Sequence, residues 1–124
     1  METLYLKWVD YKTNQKYVIG ALCKDRKNNK YYFKLSEDYM SKAKEVGFSS
    51  ATLPFTDVNK IYESDILFPL FRIRIPKIEN YDEEDLEVLL QEYDMKEFDE
   101  FEFLRKTKGE LMTDYFILEE ERDN

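Results

Sequence analysis

Carboxylates are the most plentiful candidates for chemistry in this sequence of 124 residues. Two of them could act as an acid/base pair or bind a hard cation, and Asp94, Glu97, Asp99 and Glu100 lie close together along the chain. This group matches no calcium-loop pattern and lacks the central glycine of such a loop. Solvated or helix-capping acids are therefore the favoured interpretation.

The residues on which most other active sites depend are missing. The chain has no histidine, which excludes a Ser-His or Cys-His pair, an imidazole base and a histidine metal ligand. Cys23 is the only cysteine, which excludes a thiolate zinc site and indicates a small apolar core residue in a reducing compartment. Neither phosphate-loop glycine patterns nor kinase signatures occur. The sequence predicts a protein that is not an enzyme and that holds no cofactor or metal.

The segment from Tyr62 to Lys77 is the strongest candidate for contact with a partner, and it reads YESDILFPLFRIRIPK. Arginine and isoleucine alternate at residues 72–75, so an extended chain would place Arg72 and Arg74 on the same face. Guanidinium groups presented in this way can bind carboxylates or phosphates of a partner. The alternative is an amphipathic strand with isoleucines inward and arginines in water. The predicted contact residues are Leu67, Phe71, Arg72 and Arg74.

Nucleic acid is a second candidate partner. Lys30 to Lys34 alternates lysine with aromatic residues, and such a strand could stack single-stranded bases, although many half-buried strands look the same. The net charge is −8, and residues 79–124 hold eighteen acids against five basic residues, whereas residues 1–48 hold ten basic residues against six acids. The acidic third should repel a phosphate backbone, so the charge pattern disfavours nucleic acid.

The spacing of apolar and turn residues predicts the elements that would position these groups. Residues 4–9, 16–23 and 30–35 are rich in strand formers and are separated by short polar turns, which indicates an antiparallel meander. A helix should follow between Ser36 as N-cap and Gly47, with an apolar stripe. The predicted members of that stripe are Tyr39, Met40, Ala43 and Val46.

The last third of the chain is predicted to be mainly helical. Asp82 and Asp99 each begin a capping pattern, and the first is followed by a stripe of Leu86, Leu89, Leu90 and Tyr93. Gly109 should end the second helix, and residues 113–118 should form a closing strand.

These elements predict one α+β domain over residues 4–118. It should have a small antiparallel sheet of about four to five strands and three helices, followed by an acidic frayed tail at 119–124. Aromatic residues make up 16% of the chain, which argues against disorder. The longest apolar run is too short to span a membrane and the N-terminus lacks a signal-peptide pattern, so a cytoplasmic location is expected.

The motif at residues 62–71 resembles the HipA-like segment that precedes HIRAN domains in some bacterial proteins. It has the order Tyr-x-Ser-Asp-x-Leu-Phe-Pro-Leu-Phe, and Arg74, Gly109 and Thr113-Asp114 follow it. The chain is also similar to the N-terminal subdomain of HipA-type serine/threonine kinases, and the resemblance spans about residues 4–118. Lys108 stands where a second glycine is usual in this group, and Ile73 stands where a small polar residue is expected. The pieces that match the kinase subdomain are Gly20-Ala21-Leu22, Tyr32-Phe33-Lys34-Leu35, Leu53-Pro54-Phe55, Leu67-Phe68-Pro69 and residues 99–104.

The resemblance implies a fold and a function. The fold would be that of the HipA N-terminal subdomain, as in stand-alone HipS-type proteins. The function would be non-catalytic. The module would bind a separate HipA-type kinase and regulate it, as the antitoxin of a toxin–antitoxin system does. The alternative that the resemblance offers is an accessory domain in DNA transactions.

Overall fold

In the computed structural model, which describes residues 1–122, five antiparallel strands form one sheet. The strand order across the sheet is β4-β3-β2-β1-β5, so the first three strands form a meander and the last strand pairs with the first. The predicted α+β class is confirmed. The strands are β1 (Glu2–Val9), β2 (Lys16–Asp25), β3 (Lys30–Leu35), β4 (Tyr62–Ser64) and β5 (Phe116–Glu119).

Three helices of eight or more residues match the three predicted ones, and a fourth helix of a single turn was not predicted. That turn is α2, and its last residue, Arg72, begins the stretch that was considered as an extended strand. The helices are α1 (Glu37–Glu45), α2 (Pro69–Arg72), α3 (Glu83–Glu92) and α4 (Glu100–Thr107), with short 3₁₀ turns at residues 50–52 and 78–80.

Capping side chains fix the starts of the two later helices. The side chain of Asp82 accepts a hydrogen bond from the backbone N–H of Asp85, and that of Asp99 accepts one from Glu102. Both bonds satisfy backbone donors that the first helical turn leaves unpaired. After α4 the backbone enters the left-handed region at Lys108, with φ at 62°, which is the conformation that glycine adopts most easily.

The core lies against one face of the sheet. Leu4, Leu22 and Phe33 are neighbours across β1, β2 and β3, and none of the three is exposed. The ring of Phe33 stacks on Phe55 with 4.2 Å between centroids and lies 5.6 Å from the ring of Phe71. The apolar residues around Pro69 are thus largely core, because they supply the aromatic layer that covers the sheet.

The helices contribute unequally to this core. In α1, Met40 and Ala43 are buried, whereas Tyr39 and Val46, which were predicted on the same stripe, are 37% and 41% exposed. In α3 no residue is buried, and the leucines of its predicted stripe are only half-buried. The third helix therefore lies outside the main core.

The C-terminal end of the domain differs from the predicted boundary. Glu119, which was assigned to a frayed tail, is the last residue of β5, and the Arg122 guanidinium lies 5.6 Å from the centroid of the Tyr39 ring. Residues 120–122 form no helix or strand, and residues 123 and 124 of the predicted tail lie outside the described residues.

We expect Phe71→Ala to lower the free energy of unfolding by ~3–5 kcal/mol, because Phe71 is fully buried and its removal leaves a cavity. Ile73→Ala is the matched control, since Ile73 is two residues away and 63% exposed, and its effect should stay within ~0.5 kcal/mol. Urea unfolding of the two variants measures the difference. Equal losses of stability would contradict this placement of the segment.

Candidate functional site: the surface around Arg72

The structure separates the four predicted contact residues. Leu67, Phe71 and Arg74 are buried, with exposures of 1%, 0% and 7%, and only Arg72 is exposed. The prediction that both arginines share one exposed face is wrong, because Pro69 begins α2 and the chain continues through tight turns instead of a strand. In helical backbone, residues two apart point in different directions.

Arg74 has a structural position instead of a contact position. Its guanidinium pairs with both carboxylate oxygens of Asp114, at 2.6 and 3.3 Å, and donates to the carbonyl oxygens of Leu70, Gly109 and Phe116 at 2.7 to 3.4 Å. Arg74, Gly109 and Asp114 are three of the residues on which the resemblance rests, and they meet at this point. The motif therefore has a physical reason within this fold.

Arg74→Ala should lower the free energy of unfolding by ~3 kcal/mol, because it leaves Asp114 and buried carbonyl oxygens without their donor. Arg72→Ala removes the same kind of side chain from an exposed position and should change stability by less than ~0.5 kcal/mol. Thermal and urea unfolding of both variants provide the measurement. A melting temperature that Arg74→Ala leaves unchanged would rule out the structural role.

Arg72 lies between two exposed isoleucines. Ile66 is 60% exposed and Ile73 is 63% exposed. Within residues 1–122, the side chain of Arg72 forms no hydrogen bond or ion pair. We call Ile66, Arg72 and Ile73 the Arg72 patch. Its members are not needed to fill the core, and an arginine beside apolar side chains is a frequent composition of protein interfaces.

Two surface pockets adjoin the Arg72 patch, and Arg72 lines both of them. The first, which we call the Lys24 cavity, has a volume of about 500 Å³, and Lys24, Tyr31 and Ile66 are among its lining residues. The second has a volume of about 430 Å³ and is lined by Ile73 and Pro76 among others. A partner seated on the patch would therefore have recesses on either side into which side chains could fit.

Two ionisable side chains of the Lys24 cavity, Tyr31 and Asp99, are held by internal contacts. The hydroxyl of Tyr31 donates to Glu100 at 3.3 Å, and burial together with the Glu100 charge raises the pKa of this phenol. Asp99 pairs with Arg26. Burial raises the pKa of Asp99, but hydrogen bonds from Arg26 and from the Glu102 N–H outweigh burial, and the net pKa is lowered.

The rings that were candidates for base stacking are inaccessible. Tyr31 is 4% exposed and Phe33 is fully buried, because both face the core on alternate positions of β3. Tyr32 is half-buried and Lys34 is exposed on the opposite face. The interpretation of this strand as a base-stacking surface is therefore wrong for Tyr31 and Phe33.

The remaining candidates for chemistry do not form a site. Among residues 1–122, no three histidine, cysteine or acidic side chains lie close enough to hold a metal ion. Asp99 caps α4 and Glu100 accepts from Tyr31, which agrees with the structural interpretation of these acids. Cys23 is half-buried in β2, with its sulfur 3.4 Å from the hydroxyl of Thr3. No helix in the described part of the chain has the length and apolar character needed to cross a bilayer.

A cluster of charges around Glu119 was missed by the sequence analysis. The ammonium groups of Lys7, Lys16 and Lys108 lie 3.1, 3.0 and 2.9 Å from the Glu119 carboxylate, and the Lys7 side chain is only 2% exposed. Burial raises the pKa of Glu119, but hydrogen bonds from the three lysines outweigh it and lower this pKa to about 2. No local pattern reveals the cluster, because its members come from both ends of the chain.

The stability of the protein should depend on pH through Glu119. In the folded chain the pKa of Glu119 is about 2, below its ordinary value of 4.5. The carboxylate therefore stabilises the fold fully above pH 4.5, and this stabilisation is lost as the pH falls from 4.5 towards 2. Glu119→Gln should remove ~2–3 kcal/mol at neutral pH and should flatten the fall in stability below pH ~4.5. Urea unfolding at several pH values tests this. Glu110→Gln, an exposed control, should keep the wild-type profile, and an unchanged profile for Glu119→Gln would contradict the assignment.

No protein-family model matches the chain, and neither do curated proteins or solved structures. The likeness to HipA-type proteins therefore stays a prediction from the residues themselves.

Proposed function

We propose that this chain is a non-catalytic protein-interaction module that binds a separate HipA-type serine/threonine kinase and regulates it as an antitoxin does. The observation that carries the proposal is the Arg72 patch, where an arginine without an internal partner lies between two largely exposed isoleucines. The kinase as partner comes from the motif at residues 62–71. A cytoplasmic location belongs to the same proposal and is supported by the single unpaired cysteine.

The physical properties of the patch favour binding to protein. Removing apolar surface from water is worth about 25 cal/mol per Å², so two exposed isoleucines offer a partner a useful gain. Arginine adds directional hydrogen bonds to carboxylates or carbonyl oxygens, and it is enriched among residues that dominate binding energy.

Buried neighbours in the sequence fix the backbone that carries the Arg72 patch. Leu67 and Phe71 anchor the segment in the core, and Arg74 ties it to the loop before β5. A surface that is ordered before binding loses little conformational entropy when a partner arrives. Phe71 and Leu67 therefore support the contact surface instead of forming it.

Nucleic acid as partner has less support from the contacts. Tyr31 and Phe33 face the core, and residues 79–100 hold eleven acids and one lysine. Of those eleven carboxylates, Asp99 alone forms an ion pair within residues 1–122, so most of the negative charge there is uncompensated. Such a surface repels a phosphate backbone.

The test is a titration against a HipA-type kinase that lacks its own N-terminal subdomain and is encoded in the same genome. Arg72→Ala and Ile73→Ser should weaken binding about tenfold or more, and wild-type protein should change the activity of the kinase. Thermal melts should show that both variants keep their fold, since both side chains are exposed.

Matched controls make the outcome specific. Ile61 is 60% exposed, as Ile66 is, but it lies outside the patch, so Ile61→Ser should bind as the wild type does whereas Ile66→Ser should not. Equal losses in the two variants would remove the patch from the interface. No binding by the wild-type protein would reject the kinase as partner.

A further inference from the structure

Lys24 is a buried cation without a carboxylate partner. It is 7% exposed, its ammonium donates to the side-chain oxygen of Asn29 at 2.9 Å, and the same group lies 4.0 Å from the centroid of the Tyr31 ring. Among the residues that the structure describes, no acid pairs with it. An ammonium has three donors, and a charge taken out of water is unfavourable unless an opposite charge compensates it.

The acids near Lys24 have other partners. Asp65 pairs with Lys30 at 3.0 Å, and Asp99 pairs with Arg26. Glu100 accepts the hydrogen bond from the Tyr31 hydroxyl. All three carboxylates line the Lys24 cavity, yet none lies within ion-pair distance of Lys24.

Arg72 is the second cation of this cavity that has no counter-ion. It lines the Lys24 cavity together with Ile66, Leu67 and Phe98. The cavity thus combines two cations that form no ion pair with walls that include the apolar side chains of Ile66, Leu67 and Phe98. Of its three carboxylates, Glu100 alone pairs with no cation among the described residues, and it accepts from the neutral Tyr31 hydroxyl. The apolar part of the lining suits the aliphatic stem of a glutamate side chain. The carboxylate of that glutamate could then pair with the Lys24 ammonium and accept hydrogen bonds from the Arg72 guanidinium.

We propose that the Lys24 cavity receives an acidic side chain of the partner protein, whose carboxylate pairs with Lys24 and Arg72. This inference rests on the proposed function, because the cavity adjoins the Arg72 patch and a partner seated there would cover its mouth. A protein carboxylate fits better than a free phosphate, since a dianion would meet repulsion from Asp65, Asp99 and Glu100, whereas a single negative charge meets less.

The probe is the peptide acetyl-Leu-Glu-Leu-amide, compared with its Gln counterpart in an NMR titration of the labelled protein. The Glu peptide should shift the side-chain signals of Lys24, Asn29 and Arg72 and should bind about tenfold more tightly than the Gln peptide. Acetate and inorganic phosphate at equal ionic strength are further arms. Phosphate binding as tight as that of the Glu peptide would identify a free-anion site and overturn the proposal, as would equal affinity for the two peptides.

Two variants test the cations separately. Lys24→Met keeps the stem and removes the charge, and Arg72→Gln changes only an exposed side chain, so it should fold normally. Both should lower the affinity for the Glu peptide to that for the Gln peptide. Lys34→Met on the neighbouring strand, where Lys34 is exposed and donates to the Val58 carbonyl, is the control and should bind as the wild type does. Undiminished discrimination in Arg72→Gln would overturn the proposal even if Lys24→Met failed to fold.

The kinase titration separates this inference from the proposed function. If Ile66→Ser and Ile73→Ser weaken kinase binding but Lys24→Met does not, the patch binds the partner and the cavity is rejected as a carboxylate site. If the Glu peptide binds through Lys24 and Arg72 while no HipA-type kinase binds, the carboxylate site stands and the kinase is rejected as its source.

Discussion

The guanidinium of Arg74 joins three parts of the chain that are far apart in sequence. It contacts its own segment at Leu70, the end of α4 at Gly109, and the last strand through Asp114 and Phe116. A planar group with five donors can satisfy several carbonyl oxygens and a carboxylate at once, which a lysine could not do. Because this contact fixes the turn after α2, it also fixes the direction in which Arg72 and Ile73 point. The proposed contact surface therefore depends on the buried Arg74 side chain.

Local pattern predicted the parts of the fold that local pattern determines. The strands of the meander alternate in the expected places, and Asp82 and Asp99 cap helices as their positions indicated. The turn at Pro69–Arg72 was missed because the alternation in the following residues is equally typical of a strand. The segment forms a turn because Phe68 and Phe71 both belong to the aromatic layer that covers the sheet, and a compact turn lets both side chains point inward. Strand β4 is only three residues long and offers too little pattern to predict.

The candidate site was predictable only in part for a similar reason. Residue type identified Arg72 and Arg74 as a pair, but it could not tell which of them is buried, because the carboxylate that decides this lies forty residues away at Asp114. Lys24 gave no signal in the sequence, since its environment arises from the pairing of β2 with β3 and from the placement of Tyr31. The three-lysine cluster was hidden because Glu119 looked like one more acid in a polar tail. Local sequence patterns do not predict whether a charged residue is buried when its partner lies far away in the sequence.

The pairing of β1 with β5 sets the order in which this protein can be completed as it leaves the ribosome. Leu6 pairs with Leu118, so the outer edge of β1 stays uncovered until β5 has been synthesised. Until then Lys7 has no Glu119 beside it. An uncovered strand edge is a template for unwanted pairing, and closing so long a loop is slow. Chains that stop before β5 would therefore leave the outer edge of β1 open to pairing with other chains.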